Sequence, residues 1–154
     1  MMSNMARMTS LLICDHAQVR ENLLMILSGG ITRLHVAEVP AAVHFSVALV
    51  IEIPNDELEQ SHEVRMVVVD PETAGPIAEP FLAVLPPDPV TASRIFPGEP
   101  ILVPLTVAVS LGIEHPGQFD VRASVDDGPS EIQSIWVVAS DAPGSLGQPR
   151  PLEG

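Results

Sequence analysis

Apolar and polar residues alternate along much of this chain, and the alternation predicts β-strands. Residues 119–125, Phe-Asp-Val-Arg-Ala-Ser-Val, change between the two types without a break. One face of such a segment goes to a core and the other to water, as in a half-buried strand. Residues 62–69, 101–111 and 132–138 follow similar patterns, and Trp136 is predicted to lie in the core. Residues 45–53 are apolar on one face and mostly apolar on the other, so we predict a central strand there.

Turn-forming residues separate these segments. Pro54-Asn55-Asp56 ends one strand, and residues 70–76 form a proline- and glycine-containing connection. Asp126-Asp127-Gly128-Pro129 is typical of a hairpin loop in which glycine supplies the positive φ. Short strands with a turn about every 8–12 residues favour a sandwich or barrel. The fold class is therefore predicted as all-β, an antiparallel β-sandwich of about eight to nine strands, either Ig-like or C2-like.

The length of 154 residues suits one domain. We place the β-sandwich domain at residues 8–138, after a flexible N-terminus of residues 1–7. Residues 139–154 are rich in proline, glycine and serine and are predicted to be a disordered C-terminal tail. Prolines cluster between residues 76 and 104. They favour a short edge strand over residues 77–84, followed by a long loop over residues 85–99.

Residues 17–28 fit either a short helix or a hairpin. For a helix, Asp15 is a candidate cap and Gln18 completes a capping box. Val19, Leu23, Ile26 and Leu27 then share one helical face, and Gly29 follows as a terminating glycine. For a hairpin, residues 11–15, 23–27 and 31–36 are successive strands. These local signals leave both alternatives open, with a slight preference for the helix.

Several motifs along the chain resemble a family of small bacterial proteins of unknown function. They comprise Leu12-Ile13-Cys14-Asp15-His16-Ala17, the apolar run 23–27 with Gly29-Gly30, the strand from His62 to Asp70, Pro116-Gly117-Gln118-Phe119 and Asp127-Gly128. The resemblance covers roughly residues 8–138. It implies a β-sandwich whose first segment is a hairpin, and it implies no reaction. The chain departs from the family pattern at Arg20-Glu21-Asn22, where a glycine-containing turn is expected.

The net charge of −13 restricts the partners of this protein. All seven basic residues are arginines. A phosphate backbone or an anionic membrane surface is repelled by such a charge, so we expect neither nucleic acid nor membrane as a partner. A single cysteine allows no internal disulfide, and no apolar stretch reaches the roughly 18 residues of a membrane span. The predicted location is the cytoplasm.

No catalytic constellation is visible, so we predict that the protein is not an enzyme. Cys14 and His16 form the nearest nucleophile–base pair. Cys14, however, continues the apolar run 11–13 and is better interpreted as a small buried hydrophobe. The five histidines show none of the spacings of a structural zinc site. His62, at the start of a strand, is expected to bond a backbone group or to face solvent.

Acidic residues at predicted strand ends are the remaining candidates for a ligand site. Asp15, Asp70, Asp126 and Asp127, with Glu72, could hold calcium if their loops met at one end of the sandwich. Acidic residues also favour turns in their own right, so no cofactor is assigned. The predicted function is a protein-interaction or self-association module, with a protein partner or a homo-oligomer. The alternative is a domain that binds a small ligand or calcium through acidic end loops.

Overall fold

The alternating segments form ten β-strands in the computed structural model, which describes residues 5–140. The strands are β1 (Arg7–Arg20), β2 (Leu23–Gly29), β3 (Arg33–Val36), β4 (Ala41–Ile53), β5 (His62–Asp70), β6 (Gly75–Pro76), β7 (Phe81–Leu85), β8 (Ile101–Ile113), β9 (Gly117–Val125) and β10 (Glu131–Ala139). A 3₁₀ turn at Asn55–Glu57 and a short helix, α1 (Pro89–Ala92), interrupt the connections. The all-β prediction is confirmed.

The strands build two sheets. The four-stranded sheet has the order β2-β1-β4-β8, and the six-stranded sheet has the order β3-β10-β9-β5-β6, with β7 also paired to β5. One pairing departs from the antiparallel prediction, because β3 runs parallel to β10. The chain leaves the four-stranded sheet after β2 and enters the other sheet beside β10 in the same direction. The sandwich is therefore mixed at this one edge.

The main core lies between the two sheets. On β4, Phe45, Val47, Leu49 and Ile51 are buried, and β8 contributes Val107, Val109 and Leu111. β4 pairs with β1 on one side and with β8 on the other, so the prediction of a central strand is confirmed. The six-stranded sheet buries alternate residues of β5, β9 and β10 against it. Burying β-branched and leucine side chains in this way stabilises the sandwich through the hydrophobic effect.

Of the two alternatives for residues 17–28, the hairpin that the family resemblance implies is confirmed, and the short helix is wrong. β1 continues to Arg20, which pairs with Leu23 across a two-residue turn. The turn residues Glu21 and Asn22 have φ of 52° and 59°. Positive φ at both positions is typical of a type I′ turn, which matches the twist of the flanking strands. Asparagine tolerates this conformation, so the turn forms without the glycine that the family pattern predicts.

Replacing Asn22 with glycine is expected to stabilise the protein slightly. Glycine adopts positive φ without the steric cost of a Cβ atom, and type I′ turns prefer it at their second central position. We expect the free energy of unfolding to rise by less than about 1 kcal/mol in urea titrations, because the greater conformational freedom of glycine in the unfolded chain offsets part of the gain. Gly98 offers the reverse control, because its φ of 82° predicts a loss of stability when it is replaced with alanine. A lower unfolding free energy for Asn22→Gly would contradict the turn assignment.

The hairpin of β1 and β2 forms a ribbon over the outer face of the four-stranded sheet. β1 pairs with β4 only as far as Cys14 and then leaves it. Beyond this point Ala17 and Leu24 pack with Cys14 and Ala48 in a second, small core. The turn residue Asn22 lines the same cavity as Ile101 and Val103 of β8, which lies on the other side of β4 from β1. We call residues 15–28 the ribbon; it crosses from the β1 edge towards the β8 edge.

Several local predictions need correction. Trp136 is not in the core; it is 51% exposed, because Ile135 and Val137 face inward instead. In the β9–β10 turn, Asp126 and Asp127 carry the positive φ that we assigned to Gly128. The proposed edge strand 77–84 is replaced by β6 and β7, and α1 lies within the loop 85–99.

The limits of the folded region extend slightly beyond residues 8–138. β1 begins at Arg7, and β10 ends at Ala139. Most of the predicted tail, residues 141–154, lies outside the described residues, as do residues 1–4. Within residues 5–140, no helix has the length and apolar character that crossing a membrane requires.

Candidate functional site

The four aspartates proposed for calcium do not meet. Asp15 is exposed within β1, not in a loop. Asp70 ends β5, whereas Asp126 and Asp127 follow β9 beside the beginning of β5, where Asp126 contacts His62. Because β5 is nine residues long, the two ends are roughly 25 Å apart. The predicted common site therefore does not form, and each end has its own cluster.

At one end, Asp70 meets His115 and Glu72. His115 Nε2 donates to Asp70 Oδ2 at 2.8 Å, and Glu72 N donates to Asp70 Oδ1 at 2.9 Å. The side chains of Asp70, Glu72 and His115 also place potential metal-ligand atoms within 4.8 Å of one another. The backbone N–H of Glu72 lowers the pKa of Asp70, burial opposes this, and His115 lowers the pKa further. Asp70 is thus held as a carboxylate.

The protonation of His115 argues against a metal at this cluster. Its Nδ1 faces the carbonyl oxygen of Pro116 at 2.9 Å, while its Nε2 faces Asp70. Both partners can only accept hydrogen bonds, so both ring nitrogens must carry hydrogen. The Pro116 carbonyl and then Asp70 raise the pKa of His115 accordingly. A metal bound through His115 needs a free lone pair on a neutral imidazole, so in this arrangement the cluster is interpreted as an ion pair that fixes the β8–β9 connection.

At the other end of β5, His62 is buried and, like His115, faces an aspartate and a backbone carbonyl oxygen. His62 is 3% exposed, and its Nδ1 donates to Asp126 Oδ2 at 2.6 Å. Its Nε2 donates to the carbonyl oxygen of Glu57 at 2.8 Å, which fulfils the expected backbone bond. Burial by itself lowers the pKa of His62, but the bonds to Asp126 and Glu57 outweigh burial and raise it. Because both partners accept hydrogen bonds, each ring nitrogen of His62 carries a hydrogen, and the buried ring is an imidazolium.

The Cys14–His16 pair does not assemble a nucleophile. Cys14 is fully buried, and its Sγ donates to the carbonyl oxygen of Ser46 at 3.4 Å. Burial, and then the charge of Asp15, raise the pKa of the Cys14 thiol. His16 is exposed on the ribbon. Because a reactive cysteine needs a stabilised thiolate, the structure agrees with the interpretation of Cys14 as a small hydrophobe.

The exposed side of the ribbon is the most distinctive surface. Leu23, Met25 and Leu27 are alternate residues of β2, and they are 67, 50 and 64% exposed. They lie opposite Arg20, Gln18 and His16 of β1, so they share one face. β2 is also the last strand of its sheet, and within residues 5–140 it pairs with β1 alone. An apolar row on an open edge is the type of surface that binds another strand.

Sequence reasoning identified β2 as a possible strand but missed this surface. The available signal was the composition of β2, Leu-Leu-Met-Ile-Leu-Ser-Gly, which contains neither a charge nor a proline. Edge strands in soluble proteins are usually protected by one of these. By contrast, the β6–β7 edge contains or adjoins Pro76, Pro80 and Pro86. The unprotected sequence of β2 therefore distinguishes it from the β6–β7 edge of the six-stranded sheet.

Comparisons with known proteins give a family and remote structural likenesses. Residues 9–138 match DUF6941, described as a family of unknown function. No curated protein resembles the chain in sequence. A β-glucosidase from Listeria innocua aligns at 13% identity and a TM-score of 0.38, over 70% of this chain and 14% of that protein. The chain thus spans about one seventh of that enzyme.

A second likeness is of more similar size. It is the CARDB domain of a Pyrococcus furiosus protein, solved in complex with di-metal ions. It aligns at 12% identity and a TM-score of 0.37, over 84% of this chain and 88% of that domain. Scores this low establish neither a common fold nor a common activity.

Proposed function

Because the chain belongs to the DUF6941 family, whose function is unknown, we propose its role from its surface: it is a protein-interaction module that self-associates through β2. The observation that carries the proposal is the exposed row Leu23, Met25 and Leu27 on an open strand edge. Left uncovered, such an edge promotes aggregation, and a partner strand that pairs with it removes this risk.

The sequence of β2 favours a second copy as that partner. In a two-fold antiparallel pairing centred on Met25, Leu23 lies opposite Leu27 of the other copy, and Met25 lies opposite itself. The two rows then form one continuous apolar stripe. A two-fold interface requires this kind of self-complementarity. β2 carries no charge, so the pairing places no like charges in direct contact despite the net charge of −13.

Replacing Met25 with lysine tests the proposal. We expect the wild-type protein to be a dimer by sedimentation velocity, and Met25→Lys to be a monomer. In the paired state the substitution brings two ammonium groups face to face at the symmetry axis, which is destabilising. In the free chain the side chain at position 25 is half exposed, so lysine is tolerated there. Circular dichroism of the monomer checks that the fold is retained.

Phe96→Lys is the matched control. It makes the same change from apolar to basic at a residue that is also exposed but lies outside the strands. We expect this variant to remain a dimer. A monomeric wild-type protein, or a Met25→Lys variant that keeps the wild-type mass, would contradict self-association through β2.

A further inference from the structure

The outer face of the six-stranded sheet combines an exposed tryptophan with arginines. Directly paired residues on this face form rows across the strands. The rows are Arg33, Trp136 and Gln118; then Ser134, Asp120 and Val69; then Ile132, Arg122 and Val67; then Ser124, Arg65 and Leu82. We call this surface the Trp136 face. It lies on the other sheet from the ribbon, so it is separate from the surface proposed for self-association.

Basic charge is concentrated on the Trp136 face. The described residues contain six arginines, and three of them, Arg33, Arg65 and Arg122, point outward here. The acidic residues at outward positions of its strands are Asp120 and Glu63 alone, within the described part of the chain. In a protein of net charge −13, this face is a local exception. Its electrostatic complement is a group that carries carboxylates.

A buried polar network holds the centre of this face. Asp120 is only 8% exposed, although its side chain points away from the core. Its Oδ1 accepts hydrogen bonds from Ser134 Oγ at 2.8 Å and from Gln118 Nε2 at 3.2 Å. Gln118 Nε2 also donates to Ser134 Oγ, and Asp120 Oδ2 lies 3.9 Å from Arg122 Nη2. The network therefore fixes the groups directly beside Trp136 before any partner arrives, which reduces the entropic cost of binding.

Two of the arginines remain available. Arg122 is partly neutralised by Asp120, whereas Arg33 and Arg65 are exposed and have no ion-pair partner among residues 5–140. A guanidinium group binds a carboxylate through two parallel hydrogen bonds. Tryptophan and arginine are also the residue types that contribute most often to protein-interaction hot spots. Trp136 and its neighbours are thus suited to a partner that is both acidic and partly apolar.

We propose that the Trp136 face binds an acidic segment of another protein. Trp136 packs against the apolar stems of the segment, while Arg33 and Arg65 pair with its carboxylates. A nucleic acid fits less well, because its charges extend beyond the face and meet the acidic remainder of the surface. The proposal does not depend on pairing through β2.

The fluorescence of Trp136 reports on this face directly, since it is the single tryptophan of the chain. The probe is a synthetic peptide rich in glutamate and leucine, titrated into the full-length protein. Its counterpart has every glutamate replaced with glutamine. We expect a saturable change in Trp136 emission with the acidic peptide, a weaker affinity at high salt and no saturable change with the glutamine peptide. An equal response to both peptides would overturn the proposal.

Charge-removal variants locate the binding. The double variant Arg33→Gln, Arg65→Gln is expected to bind the acidic peptide about tenfold more weakly or worse, because two charge-assisted contacts are lost. Arg20→Gln, at an exposed arginine on the ribbon, is the matched control and should bind normally. Met25→Lys should also bind normally, which separates this result from the test of self-association. Unchanged affinity in the double variant, or tighter binding of a single-stranded DNA oligonucleotide than of the peptide, would refute the assignment.

Discussion

Replacing Asp126 with asparagine is expected to lower the free energy of unfolding by about 1–3 kcal/mol at pH 6. The substitution removes the charge that faces the buried imidazolium of His62 at 2.6 Å. Asparagine also tolerates the positive φ of this position, so the turn itself is not the target of the change. The loss is smaller than for a fully buried pair because Asp126 is partly exposed to solvent.

The effect should depend on pH with a defined sign. The pKa of His62 is raised in the folded state, so the ion pair contributes fully at pH values below the unfolded pKa of about 6.5. The contribution is lost as the pH rises through the folded pKa. We therefore expect the stability difference between wild type and Asp126→Asn to be large at pH 6 and small at pH 9, in urea titrations at both values.

Asp127→Asn is the control for this experiment. Asp127 is the next residue in the same turn, has a similar φ and is exposed. The two variants remove one negative charge each, so any general effect of net charge is shared. We expect Asp127→Asn to change stability by no more than about 0.5 kcal/mol at either pH. A difference for Asp126→Asn that does not change with pH would mean that His62 is buried without charge.

Apolar and polar residues alternate in β9 because one face of this strand packs against the main core and the other face turns outward. β4 is apolar on most of both faces, because its inner face lines the main core and Ala48 on its outer face packs against the ribbon. Local sequence signals did not distinguish a hairpin from a helix at residues 15–28. Its apolar residues fit a helical face as well as a strand, and only the resemblance to a family favoured the hairpin. The reason is that Leu24 and Ala17 bury against Ala48, which is a contact between distant parts of the chain.

Trp136 shows where the alternation of apolar and polar residues fails to predict which face of a strand turns inward. Residues 132–138 are apolar on both faces, so periodicity alone cannot determine which face turns inward. The pairing of Ile135 with Phe119 on β9 decides it, and this places Trp136 outside. The exposure of Trp136 creates the aromatic centre of the Trp136 face.

The ion pairs at the two ends could not be predicted from spacing. His115 and Asp70 are 45 residues apart, and His62 and Asp126 are 64 residues apart. The register of β5 against β9 brings both pairs together. The sequence correctly placed acidic residues at strand ends in three of four cases, but it could not assign them to opposite ends of the sandwich. Hence the calcium hypothesis looked more plausible from the sequence than from the geometry.

Replacing Leu49 with alanine is expected to cause the largest loss of stability among the substitutions considered. Leu49 is fully buried on the central strand β4, opposite Leu11 of β1 and Leu105 of β8. Removing its branched end loses the transfer free energy of those atoms and leaves a cavity. We expect the free energy of unfolding to fall by about 2–5 kcal/mol, measured by urea titration.

Leu102→Ala is the corresponding control at an exposed leucine of β8. It makes the same chemical change in a strand of the same sheet and should alter stability by less than about 0.5 kcal/mol. Equal losses in both variants would mean that the face assignment of β8 against β4 is wrong. A fall in the free energy of unfolding for Leu49→Ala alone would support the register of β4 in its sheet. A shift of that register by one residue would exchange the two faces of the strand and move Leu49 out of the main core.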